Sequence, residues 1–89
     1  MRIENFREVI QQLGNEFDSH EFIEKYIWAF PADYGELLVK HNNVRTAHAE
    51  IANYLRYHAE ELNIERLPGN AVDQDIFGNE TENACWKKK

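Results

Sequence analysis

The longest regular pattern in the chain runs over 44–62, where Val44, His48, Ile51, Leu55, His58 and Leu62 follow one another at steps of four, three, four, three and four. That spacing aligns all six on one stripe of an α-helix. Ala52 and Ala59 flank the stripe on one side and Ala47 and Tyr54 on the other, while Thr46, Glu50, Asn53, Tyr57 and Glu60 take the side that suits water. The pattern predicts one long amphipathic helix, capped at its start by Asn43 and ended by Asn63.

Three shorter helical patterns precede it. Ile3, Phe6, Ile10 and Leu13, with Val9 beside them, predict a helix over 3–13 that stops where Gly14 turns left-handed. Asp18 and Glu21 have the spacing of a capping box, and Phe17 and Phe22 that of a hydrophobic staple. A second helix therefore starts at Ser19 and presents Phe22, Ile23, Tyr26, Ile27 and Phe30 to the core. Pro31 ends or kinks it, because proline lacks an N–H and clashes with the preceding turn. Proline is also suited to the first turn of a new helix, and Tyr34, Leu37, Leu38 and His41 predict a third helix over 32–41. Asn42 and Asn43 then form a turn.

Beyond residue 63 the period changes. Pro68-Gly69-Asn70 is a turn signal between two short apolar runs, so a hairpin of 64–67 and 71–77 is expected, with Ile76, Phe77 and Trp86 docked on the helices to escape water. Lys87, Lys88 and Lys89 read as a disordered basic tail. The expected fold is a mostly α, small single domain over 1–86. It has about four helices, a helix-turn-helix-like pair at 32–41 and 44–62, and a short C-terminal hairpin or extended segment.

Length agrees with one domain, since 89 residues support a single small core, helped by five Phe, four Tyr and two Trp. Cys85 is the only cysteine, so no internal disulfide forms. No apolar run approaches the ~20 residues that span a bilayer. The charged opening MRIENFREVIQQL has no signal-peptide core. No membrane role and a cytoplasmic location are expected.

Chemistry-bearing constellations are sparse. His48 and His58 share the apolar stripe, but ten residues separate them by ~15 Å along a helix, too far for one metal ion. They read as hydrogen-bonded residues at the core edge, and neither metal, cofactor nor small-molecule ligand is expected. Cys85 has no assignable base, and no glycine-rich phosphate loop exists, so an enzyme is not expected.

Two binding functions remain. Sixteen acidic against ten basic residues give a net charge of −6, which works against a polyanion. Aromatics exceed what one side of a small core takes up. Trp28, Tyr34 and Tyr57 are therefore the expected interface of a non-catalytic domain that binds a protein partner or itself. The alternative is a helix-turn-helix or winged-helix-like DNA-binding or transcription-accessory protein. Arg45 and Arg56 share one flank of the long helix, Ala49 and Ala52 let a groove wall approach, and Asn53 can read adenine. Glu50, Glu60 and Glu61 on the same helix oppose this alternative.

Overall fold

The computed structural model describes residues 1–89. In chain order the elements are α1 (Ile3–Gln12), β1 (Glu16–Asp18), α2 (Ser19–Ala29), α3 (Pro31–His41), α4 (Val44–Tyr57), β2 (Ile64–Gln74) and β3 (Glu80–Lys88). The three strands form one antiparallel sheet in the order β1-β3-β2. A quarter of the chain (26%) lies in that sheet. The fold is therefore α+β, and the expectation of a mostly α domain is overturned.

The helices begin where their capping residues allow. Asp18 accepts the Glu21 N–H at 2.8 Å while the Glu21 carboxylate accepts the Asp18 N–H at 3.2 Å, so both halves of the capping box are present. The Phe17 and Phe22 rings of the staple lie 6.3 Å apart. Phe30 closes α2 and opens α3 in one non-helical residue, with Pro31 in the first turn of α3. Helices α2 and α3 are thus separate. Asn43 caps α4 by accepting the Thr46 N–H at 3.0 Å.

Three boundaries differ from the sequence pattern. Helix α1 ends in extended backbone at Leu13, and Gly14 is not left-handed. Helix α4 stops at Tyr57, after which 58–63 continue as turns. Leu62 stays buried because its N–H still bonds to the His58 carbonyl at 2.8 Å, and left-handed Asn63 then releases the chain. The apolar stripe thus outlasts the helix that carries it.

The sheet accounts for the largest correction. Pro68-Gly69 is not a hairpin turn but a bulge within β2, where Arg66 pairs with Trp86 and Asn70 with Ala84. Three residues of β2 face one of β3 there. Pro68 has no N–H to give the ladder, and Gly69 adopts φ +78°, so the strand arches and resumes. The true hairpin turn is 75–79. Asp75 accepts the N–H groups of Phe77 and Asn79 at 2.9 and 3.0 Å, and Gly78 supplies φ +82°. Lys87 and Lys88, expected in a tail, belong to β3. Lys87 pairs with both Glu16 and Glu65, and the Lys88 ammonium donates to the Leu13 carbonyl at 2.7 Å.

One core serves both layers. Phe6, Phe22, Tyr26, Ile51 and Leu55 come from the helices, and Phe17, Ile64 and Trp86 from the strands. Phe6 is central, with the Phe22, Tyr26 and Tyr54 rings 5.0, 5.2 and 4.4 Å away. Trp86 is buried as expected, while Ile76 and Phe77 remain exposed at the hairpin turn. The Tyr26 hydroxyl is buried without a hydrogen-bond partner, and burial pushes its pKa up to about 12. An unsatisfied buried hydroxyl costs about 1–3 kcal/mol. Tyr26→Phe is expected to raise stability by about 1 kcal/mol in urea unfolding; a loss of stability would mean that the hydroxyl has a partner.

Candidate groove between helix α4 and the hairpin

Helix α4 and the β2–β3 hairpin face one another across an open groove of about 880 Å³. Arg45, Ala49, Ala52, Asn53 and Arg56 line it from α4, and Arg66, Asp75, Phe77, Thr81 and Glu82 are among the residues that line it from the hairpin. Arg45, Ala49, Asn53 and Arg56 are all exposed. At steps of four, four and three they share one stripe of the helix. The structure therefore brings together the four residues of the nucleic-acid alternative.

The acids that opposed this alternative are elsewhere. Glu50 turns onto α3, where its carboxylate bonds His41 Nε2 and lies 3.3 Å from the Lys40 ammonium. The His41 hydrogen bond, with Lys40 beside it, holds Glu50 below the usual carboxylate range. Glu60 and Glu61 follow the end of α4, and Glu61 bonds His58 at 3.2 Å. Three arginines against two carboxylates, Asp75 and Glu82, leave the groove at +1 with histidines neutral, although the whole chain carries −6.

Two sets of contacts fix the hairpin, one to α4 and one to α2. At the turn, the Phe77 ring stacks on the His48 imidazole at 5.9 Å and 10°. His48 Nε2 in turn lies 2.7 Å from the Tyr34 hydroxyl, and burial lowers the His48 pKa. At the base, His20 bonds Asp73 through Nδ1 and lies 2.9 Å from the Thr81 hydroxyl through Nε2, while its N–H donates to Asn83 at 2.9 Å. The sequence pattern gave no weight to His20, and it predicted Phe77 on the helices without marking His48 as its seat. The His20 partners lie 53 to 63 residues away, and His48 lies on a different element from Phe77, so no local spacing marks either pair.

Asp18 sits at this same base. Burial first, and the neighbouring Asp73 second, raise its pKa from 3.8 to about 6. The folded form thus holds a proton between about pH 4 and 6 that the unfolded chain has released, so this group favours folding as pH falls through that window. Asparagine is an equally good cap and carries no charge. Asp18→Asn is therefore expected to stabilise the domain by on the order of 1 kcal/mol at pH 8. The advantage should shrink between pH 6 and 4. Urea melts at pH 8 and pH 4.5 test this, and an asparagine variant weaker than the parent at pH 8 would refute it.

The three residues of the expected aromatic interface lie on three different helices, α2, α3 and α4. Tyr34 is partly buried and engaged with His48. Trp28 is 78% exposed beside Leu13 and Lys25 on α2, and Tyr57 is 76% exposed on α4 under the Arg56 guanidinium. No group of three or more His, Cys, Asp or Glu side chains is placed to hold a metal ion. No helix is long and apolar enough to cross a membrane. No known family model, curated protein or solved structure matches the chain.

Proposed function

We propose that this domain binds duplex DNA in the manner of a winged helix, with α4 as the helix that enters a groove and the β2–β3 hairpin as the wing. The observation that carries this reading is the acid-free exposed stripe of Arg45, Ala49, Asn53 and Arg56, set beside a hairpin in a β1-β3-β2 sheet. Arginines at both ends suit phosphates or guanine edges, the alanines let a groove wall approach, and Asn53 matches the donor–acceptor pair of adenine. The net charge of −6 weakens the long-range attraction but is distributed away from this groove. Catalysis has no part in the reading.

A competing reading, association with a protein partner or a second copy, is favoured by the exposure of Trp28 and Tyr57. One experiment separates the two. A random-sequence duplex is titrated at ~50 mM salt with the parent, with Arg45→Ala/Arg56→Ala and with Trp28→Ala, and oligomeric state is followed by light scattering. Binding tighter than ~1 μM, lost in the double arginine variant and kept in Trp28→Ala, supports DNA recognition. Absence of binding, with dimers that dissociate in Trp28→Ala, overturns it in favour of association.

A further inference from the structure

The bulge in β2 holds an arginine in place. Arg66 is the last residue paired before the register shift, opposite Trp86. Its Nη1 donates to the carbonyls of Leu67 and Gly69, the latter at 2.8 Å, and its Nη2 donates to Asn70 Oδ1 at 2.6 Å. Guanidinium carries five N–H donors. Three are spent on the bulge. The two that remain are Nε–H and one Nη2–H, the pair that forms a side-on fork for a carboxylate or phosphate. The residue is exposed, and it lines the same groove as Arg45 and Arg56. An arginine on a surface strand ordinarily loses much rotamer freedom when it binds; here the bulge carbonyls have already fixed it.

The geometry points to Arg66 as a pre-organised phosphodiester contact, fixed by the Leu67–Asn70 arch and set across the groove from α4. This rests on the duplex-binding reading above. With α4 in a groove, the wing contact fastens the flanking backbone and contributes affinity without base preference. Arg56 is held too, by Asn53 at 3.1 Å and by the Tyr57 ring, so both walls of the groove present oriented guanidinium groups.

The test uses the intact chain, a random-sequence DNA duplex and a series of salt concentrations, with Arg66→Ala, Arg66→Lys and the double α4 variant side by side. One phosphate contact contributes about 0.9 to the slope of log K against log salt, which at ~50 mM is about tenfold in affinity. Arg66→Ala is expected to lose about that factor and about one unit of slope. Arg66→Lys keeps the charge and loses the fork; its slope should match the parent while affinity falls several-fold. Should Arg66→Ala fail to fold, the lysine variant alone decides the point. Parent-like affinity in every Arg66 variant that folds, while the α4 variant loses binding, overturns the wing contact and leaves the helix reading intact. A parent that binds no duplex removes the reading beneath it instead.

Discussion

Trp86→Ala is expected to cost about 3–5 kcal/mol, the range for removing a large aromatic from a core. Trp86 is 2% exposed and lies near the C-terminal end of the central strand. Its backbone pairs with Phe17 of β1 on one side and Arg66 of β2 on the other. Its indole N–H donates to the Ser19 hydroxyl at 3.3 Å, tying the sheet to the first residue of α2. An 89-residue domain has about 5–13 kcal/mol of stability to lose, so the variant should lose between roughly a quarter and all of it. Urea unfolding followed by far-UV circular dichroism gives the measurement. Trp28→Ala serves as the control. That side chain is on the surface, where substitutions stay within about 0.5 kcal/mol. A Trp86→Ala cost near that of the control would mean that β3 is not docked between its neighbours.

The second large effect concerns binding. Arg45→Ala/Arg56→Ala should weaken duplex affinity by about a hundredfold at ~50 mM salt, since two phosphate contacts at slope 0.9 each contribute about two powers of ten there. The slope of log K against log salt should fall by about two. Folding should be unaffected, because both side chains are exposed and neither joins the core. If one arginine contacts a guanine edge instead, its removal also relaxes sequence preference by about 1–3 kcal/mol at that base pair. An unchanged slope with reduced affinity would place both residues away from phosphate.

The groove was only half legible in the sequence. The α4 stripe follows from helical spacing alone, since a period of 3.6 fixes which residues share a face. That spacing cannot say where the neighbouring acids turn. Glu50 looked like an opponent of Arg45 on the linear chain, and only packing against α3 commits it to Lys40 and His41. Tyr34 looked available for a partner, and only the approach of α4 occupies its hydroxyl with His48. The aromatic surplus that suggested an interface is partly spent in the ring cluster around Phe6.

Local interactions decided the helices. A capping box, an asparagine cap, a proline in a first turn and apolar steps of three and four all act within a few residues, so α1 to α4 were written in the chain. The sheet was not. Strand β1 has three residues, too few to show a period of two. The central strand ETENACWKK is mostly polar, with no alternation to mark it as a strand, and its closing lysines on their own read as a tail. Its order comes from partners about 70 residues upstream in β1 and across an arched β2, whose Pro68-Gly69 mimics a turn. Which strands pair depends on packing against neighbours and on burial in the tertiary fold, not on an intrinsic preference of the segment. Tertiary structure alone brought those edges together, and with them the hairpin that turns an amphipathic helix into one wall of a groove.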